Sequence, residues 1–90
     1  MKNIVLITGG GKRLGSLIAK ELSKESFHIV LHYNKSEKQA LETKDEIIKN
    51  GGKIDLIRKE ITSENDAMDL IGESINSLED DENQQFTLIN

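Results

Sequence analysis

A glycine-rich segment near the start of the chain has the residue types that bind phosphate. Four of the seven glycines in the 90 residues fall within Thr8-Gly9-Gly10-Gly11-Lys12-Arg13-Leu14-Gly15. Glycine permits a sharp turn and leaves no Cβ between the backbone and an approaching phosphate. A helix that begins at the end of this segment would direct unpaired N–H groups and its positive dipole end toward that phosphate. Lys12 and Arg13 add positive charge, and arginine can bind phosphate through two parallel hydrogen bonds.

The position of this segment favours a dinucleotide as the ligand. It lies between a predicted strand and a predicted helix, as does the phosphate-binding turn of a dinucleotide-binding βαβ unit. Two other interpretations are a turn whose glycines serve geometry alone and the phosphate loop of a nucleoside triphosphatase. The triphosphatase loop requires Gly-Lys-Ser or Gly-Lys-Thr at its end, whereas Gly15 is followed directly by Ser16.

Strand and helix patterns alternate along the chain. Short apolar runs predict strands at 4–7, 29–31, 54–57 and 86–89. Helical spacing marks an inner stripe of Leu14, Leu17, Ile18 and Leu22, with Ala19 beside them, in the first helix and of Ala40, Leu41, Lys44, Ile47 and Ile48 in the second. Serines that cap helices, each followed three residues later by a partner, are predicted at Ser36 with Gln39 and at Ser63 with Asp66. The expected fold is α/β, a Rossmann-like doubly wound parallel sheet with strand order 3-2-1-4.

Composition excludes several classes of function. The 12 Lys and Arg residues against 16 Asp and Glu give a net charge of −4, which argues against a nucleic-acid partner. All the basic residues lie in 1–60, so an anion site is expected there. No apolar run is long enough to cross a membrane, and no secretory signal is recognisable, so we expect a cytoplasmic protein. The absence of cysteine excludes disulfides and thiolate chemistry.

The pattern Thr8-Gly9-x-x-x-Arg13-x-Gly15 after a first strand resembles the short-chain dehydrogenases/reductases, whose usual pattern is Thr-Gly-x-x-x-Gly-x-Gly. Arg13 stands where the middle glycine normally lies. This exchange, together with His32-Tyr33-Asn34-Lys35-Ser36, resembles the branch of pteridine and dihydromonapterin reductases. The resemblance implies a Rossmann fold that binds NADP(H). It places the following residues at the cofactor: Thr8, Gly9, Gly11, Lys12, Arg13, Leu14, Gly15, Asn34, Lys35, Ser36, Glu60, Ile61 and Asn90.

The end of the second predicted strand supports a preference for NADP(H) independently of the resemblance. An NAD site has an acidic residue there, about 20 residues past the glycines, which holds the ribose 2′-hydroxyl. Here the segment is Tyr33-Asn34-Lys35-Ser36, with no acid before Glu37. Lys35 and Ser36 could bind a 2′-phosphate that a carboxylate would repel. The resemblance implies that Asn34, Lys35 and Ser36 contact this phosphate and that Arg13 contributes from the loop. The plainer alternatives are a solvated lysine and a helix cap, and the cap can coexist with phosphate binding.

By the resemblance, Glu60 and Ile61 follow the third strand where the family holds the adenine, although a solvated Glu60 is an equal alternative. Asn90 matches the first residue of the family's Asn-Asn-Ala-Gly segment, which follows the fourth strand. The family's catalytic Tyr-x-x-x-Lys pair is absent from these residues, since the only tyrosine is Tyr33 and the fourth residue after it is Glu37. His28 and His32 are predicted to be strand residues without a function. We therefore expect no redox turnover from these 90 residues alone.

Three hypotheses follow for the chain as a whole. Residues 1–90 form a single partial dinucleotide-binding domain of an NADP-dependent reductase of carbonyl or pterin substrates, without its C-terminal catalytic part. Alternatively, they form a free-standing nucleotide-binding module without catalysis, or a remnant that binds nothing. The fourth strand is apolar and expected at an open sheet edge, so self-association through that edge is also predicted.

Overall fold

The computed structural model describes residues 2–9, 13–76 and 84–89. Strands and helices alternate along the whole of this part of the chain. Their bounds are β1 Lys2–Ile7, α1 Arg13–Ser23, β2 His28–Tyr33, α2 Glu37–Lys49, β3 Lys53–Arg58, α3 Glu64–Asn76 and β4 Gln84–Ile89.

The strands form one parallel sheet in the order β3-β2-β1-β4. This confirms the predicted α/β fold and strand order. Because all four strands run in the same direction, their carboxyl ends lie along one edge of the sheet. The segments that follow β1, β2 and β3 therefore share that edge.

The central strands β1 and β2 are buried on both faces, as their uninterrupted apolar sequences require. Val5 and Ile7 pack in one core cluster with Leu31 of β2, on the face covered by α1 and α2. Ile4 and Leu6 pack in a second cluster on the opposite face with Leu70 of α3. The sheet is thus covered by helices on both faces, as in a doubly wound fold.

The inner faces of α1 and α2 match the predicted stripes in part, since Ala40 and Ile47 are buried and Ile18 and Leu22 pack against the core cluster. Leu14, Leu17, Leu41 and Ile48 are between 46% and 68% exposed, whereas the buried residues of the two helices are Ser16, Ala19, Ala40, Thr43 and Ile47. The small side chains among these buried residues let the helices approach the sheet and each other closely. At the contact between the helices, the buried Thr43 hydroxyl lies 2.8 Å from Ser16 Oγ and 2.8 Å from the Gln39 carbonyl oxygen.

The two predicted helix caps have different outcomes. At α3, Ser63 Oγ accepts a hydrogen bond from the Asp66 N–H (3.2 Å), as predicted. Asp66 Oδ2 in turn accepts hydrogen bonds from the Thr62 N–H (3.0 Å) and hydroxyl (2.9 Å). The backbone N–H of Thr62 contributes most to lowering the pKa of Asp66 below its ordinary value, followed by the Thr62 hydroxyl.

At α2 the predicted capping box is wrong. Ser36 is the N-cap residue, and its carbonyl oxygen accepts the first helical hydrogen bond, from the Ala40 N–H at 3.0 Å. Its side chain makes no capping hydrogen bond, because Ser36 has φ −88° and ψ 52° rather than the extended backbone of a typical cap. The hydroxyl is therefore not used by the helix that it precedes.

Candidate nucleotide site

The predicted cofactor residues that the structure describes lie along the carboxyl edge of the sheet. Thr8 and Gly9 follow β1, Asn34 to Ser36 follow β2, and Glu60 and Ile61 follow β3. Arg13, Leu14 and Gly15 form the first turn of α1. Gly11, Lys12 and Asn90 lie outside the described residues. The fold therefore brings three segments that are distant in sequence to one edge, as the crevice of a dinucleotide-binding sheet requires.

The turn after β1 is fixed by hydrogen bonds to both neighbouring strands. The Thr8 N–H donates to the carbonyl oxygen of Ile89 in β4 at 3.0 Å. Gly9 adopts a φ of +65°, in the left-handed region that favours glycine. Its N–H donates to Nδ1 of His32 at 3.2 Å. Gly9 thus serves the turn through its conformation, while its own N–H is used by the protein.

An open cleft of about 250 Å³ lies between this turn and the start of α1. Its lining is mainly apolar, and it includes Leu14, which is 68% exposed. Arg13 is exposed at the first position of α1, where the N–H groups of the first helical turn have no partner within the helix. The cleft is lined by Ile7, Thr8, Gly9, Leu14, Gly15, Ile18 and Ile89.

The segment after β2 presents polar groups next to a cation that sequence reasoning missed. Lys35 is exposed, and the Ser36 hydroxyl makes no cap. Arg58, the last residue of β3, is exposed and donates from Nε to the carbonyl oxygen of Asn34 at 3.2 Å. Neither Lys35 nor Arg58 takes part in the ion pairs found among the described residues.

The pairing of β2 with β3 explains how Arg58 could have been identified. Arg58 is paired with Tyr33, so it lies beside the residue that leads into the Asn34–Ser36 segment. A basic residue at the end of the neighbouring strand could have been recognised once the order of the strands was assumed. Its guanidinium places a second positive charge near Lys35.

Glu60 and Ile61 are exposed beyond the end of β3. The residue before them is held firmly, since the Lys59 N–H donates to the Tyr33 carbonyl oxygen at 3.0 Å. Lys59 Nζ also lies 3.6 Å from Glu73 Oε1 of α3. Glu60 therefore leaves the sheet from a fixed point, as a residue that binds adenine would need to.

His32 was expected to be an ordinary strand residue, yet it contacts two of the three segments. Its side chain is buried, with Nδ1 against the Gly9 N–H and Nε2 2.8 Å from the Lys59 carbonyl oxygen. Nothing in the sequence alone distinguishes it from His28. The contacts arise only when the turn after β1 and the end of β3 come to either side of β2.

Other kinds of site are not found in the part of the chain that the structure describes. It contains no group of three or more His, Asp or Glu side chains that could hold a metal ion. Its helices are also too short or too polar to cross a membrane.

The comparison with known families agrees with this geometry. Residues 3–80 match the model of the short chain dehydrogenase family. The chain belongs to this family. Its glycine turn and its parallel sheet in the order β3-β2-β1-β4 agree with that membership.

Two curated proteins are similar in sequence to this chain, over matches of different length. The hydroxynaphthalene reductase-like protein Arp2 of Metarhizium anisopliae is 42% identical over 59 residues, which are 66% of this chain and 22% of that protein. The short-chain dehydrogenase/reductase homolog YusS of Bacillus subtilis is 31% identical over 77 residues, 86% of this chain and 71% of YusS. The chain thus spans about a fifth of the length of the first relative and most of the second.

Two solved structures share the fold. The short-chain dehydrogenase from Oenococcus oeni is 32% identical with a TM-score of 0.77, covering 84% of this chain and 35% of its own. FolM alternative dihydrofolate reductase 1 from Brucella suis, in complex with NADP, is 28% identical with a TM-score of 0.60. That likeness covers 63% of this chain and 24% of FolM.

Proposed function

We propose that residues 1–90 form the adenosine side of an NADP(H) site in a short-chain reductase. The observation that carries this proposal is the segment after β2. An NAD enzyme has an acidic residue in this segment. In this chain the segment has Lys35, the Ser36 hydroxyl, which makes no capping hydrogen bond, and the neighbouring Arg58 guanidinium. A 2′-phosphate would find positive charge and a hydroxyl there. FolM, a structural relative, is in complex with NADP.

The remaining predicted residues divide among the other parts of the cofactor. The turn at Thr8 and Gly9 and the first turn of α1 would hold the pyrophosphate, with Gly11 and Lys12 assigned from the motif. Arg13 would contribute to the 2′-phosphate. Glu60 and Ile61 would contact the adenine from the end of β3. Leu14 and Gly15 line the cleft that leads from the turn toward β4, and Asn90 would continue this side of the site.

Hydride transfer would require residues in addition to those of the adenosine side. NADP(H), when bound, supplies the hydride, and the reduced carbonyl needs a positioned proton donor. Tyr33 does not serve, because its side chain is buried in the core cluster beneath α1 and α2. We propose that these 90 residues bind the cofactor and that the Tyr-x-x-x-Lys pair belongs to a catalytic part beyond them. Arg13 and the His32–Ser36 sequence favour a carbonyl or pterin substrate for the whole enzyme.

Replacing Lys35 with alanine tests the cofactor preference. A charge-assisted hydrogen bond at a solvated rim contributes about 1 kcal/mol, so we expect NADP+ affinity to fall about fivefold. NAD+ affinity should remain nearly unchanged, because that cofactor lacks the 2′-phosphate. Both affinities are measured by isothermal titration calorimetry.

Lys53→Ala is the matched control for this change. Lys53 is exposed at the first position of β3, at the opposite edge of the sheet from Lys35. The Lys53→Ala substitution removes the same charge and should leave the affinities for NADP+ and NAD+ unchanged. Equal losses of NADP+ and NAD+ affinity in Lys35→Ala would show that Lys35 does not recognise the 2′-phosphate.

We also propose that the chain self-associates through β4. This strand lies at one end of the sheet order, its sequence Gln84–Ile89 contains no charged residue, and Leu88 is 45% exposed. The opposite edge strand carries Lys53, Asp55 and Arg58, the kind of charges that prevent edge-to-edge pairing.

Sedimentation velocity over a range of protein concentrations tests this pairing. We expect a concentration-dependent dimer that Leu88→Lys converts largely to monomer, because a lysine on an edge strand opposes strand addition. Leu41→Lys, at a comparably exposed leucine on α2, should leave the dimer intact. A wild-type chain that sediments as a monomer at every concentration would refute the proposal.

A further inference from the structure

We infer that His32 is a positioning residue for dinucleotide binding, an inference that rests on the proposed NADP(H) site. Its neutral imidazole, with the hydrogen on Nε2, forms hydrogen bonds to Gly9 in the turn after β1 and to Lys59, the first residue after β3. It thereby fixes the spacing between the pyrophosphate side and the adenine side of the site.

A continuous row of hydrogen bonds crosses the carboxyl edge of the sheet through this residue. The Thr8 N–H donates to the Ile89 carbonyl oxygen of β4 at 3.0 Å. The next N–H, of Gly9, donates to His32 Nδ1 at 3.2 Å, and His32 Nε2 lies 2.8 Å from the Lys59 carbonyl oxygen. The row therefore joins the ends of all four strands.

His32 extends this row beyond the point where the backbone pairing stops. The β1–β2 register ends at the pair Ile7 and Leu31, so no strand partner is available for the Gly9 N–H. The imidazole of the following residue in β2 takes the place of a backbone acceptor. On its other side it takes the place of a backbone donor for Lys59.

The two contacts together define the tautomer. A carbonyl oxygen only accepts, so Nε2 must carry the hydrogen that Lys59 receives. The Gly9 N–H only donates, so Nδ1 must carry none. A neutral imidazole can meet both requirements, because one ring nitrogen is then a donor and the other an acceptor.

Burial makes these contacts consequential. His32 is 7% exposed, so water cannot readily replace its ring nitrogens. Without the imidazole, the Gly9 N–H and the Lys59 carbonyl oxygen would both lose the partner that this buried side chain supplies. The turn at Gly9 and the exit of Glu60 from β3 would then be free to move apart.

Three substitutions at His32 separate the two contacts. The Asn side chain places its amide at the position of Nδ1 and can still accept from Gly9, whereas Gln reaches the position of Nε2 and can still donate to Lys59. Leu removes both contacts. We expect NADP+ affinity to fall about tenfold in His32→Leu, about fivefold in His32→Gln and less than about threefold in His32→Asn.

Two measurements on the chain without cofactor test the hydrogen bonds of His32 directly. Long-range proton–nitrogen correlation spectra of the wild-type chain should show a protonated Nε2 and an unprotonated Nδ1 at His32. Hydrogen exchange at the Gly9 amide should accelerate in His32→Leu and His32→Gln and stay slow in His32→Asn. A residue that only filled space would not produce this order.

His28→Asn is the matched control, since His28 begins the same strand and pairs with Asp55 at 2.8 Å, away from the glycine turn. It should change neither NADP+ affinity nor exchange at Gly9. Equal NADP+ binding by all three His32 variants, or a hydrogen on Nδ1, would overturn the role of His32 alone. A wild-type chain that binds no NADP+ would overturn the proposed function and, with it, the role of His32 in binding.

Discussion

Replacing Gly9 with valine is expected to weaken NADP+ binding at least tenfold. Gly9 has φ +65°, and a Cβ built on it meets no atom within 4 Å, so conformation rather than space requires glycine here. The left-handed backbone costs a residue with a Cβ about 1–2 kcal/mol, and a β-branched residue is a marked outlier there. The turn would have to change, and with it the direction of the N–H that His32 accepts. Calorimetric titration with NADP+ measures the loss.

Gly9→Asn is the control that separates conformation from bulk. Asparagine is similar in size to valine but tolerates the left-handed region. We expect it to retain NADP+ affinity to within about threefold, since the first glycine of such a motif shapes the turn rather than contacting phosphate. Equal losses in the valine and asparagine variants would mean that the ligand needs the open space beside Gly9 instead.

Replacing Leu31 with alanine is expected to lower the free energy of unfolding by about 2–5 kcal/mol. Leu31 is fully buried in the core cluster between the sheet and the pair α1 and α2. Its truncation removes apolar contacts and leaves a cavity that the surrounding strands cannot readily close. For a domain whose whole stability is about 5–15 kcal/mol, this is a large fraction. Urea denaturation followed by circular dichroism measures the change.

The same substitution at Leu41 serves as the comparison. Leu41 is 46% exposed on α2, although its spacing had predicted that it would face the core. Leu41→Ala should change the free energy of unfolding by no more than about 0.5 kcal/mol. Similar losses at Leu31 and Leu41 would show that the inner face of α2 is not the one described.

The order of the strands and the place of the glycine turn were predictable from the sequence. Short β-branched runs such as the one ending at Ile7 are typical of the buried strands of a parallel sheet, and helices between such strands form right-handed crossovers almost without exception. The same logic placed the segments beginning at Thr8 and Asn34 at one edge. These predictions succeeded because they depend on chain direction and periodicity, which a sequence contains.

The inward faces of the helices were predicted less well. Counting apolar residues correctly placed Ala19 and Ile47 inward, but it also placed Leu17 and Leu41 in the core, where Ser16 and Thr43 lie instead. How closely two helices approach depends on side-chain volume at their contact, and this is settled only when the layers assemble. The predicted cap at Ser36 failed because its backbone angles, φ −88° and ψ 52°, are not those of a typical cap.

The sequence by itself determined the α/β class, the strand order, the place of the glycine turn and the lack of an acidic residue from Tyr33 to Ser36. Only the tertiary structure decided which side chains support that turn. Arg58 reaches the Asn34 carbonyl because β3 pairs beside β2, and His32 joins Gly9 to Lys59 because β2 lies between the two segments. Contacts between residues more than 20 positions apart depend on register and burial, and neither quantity is contained in local spacing.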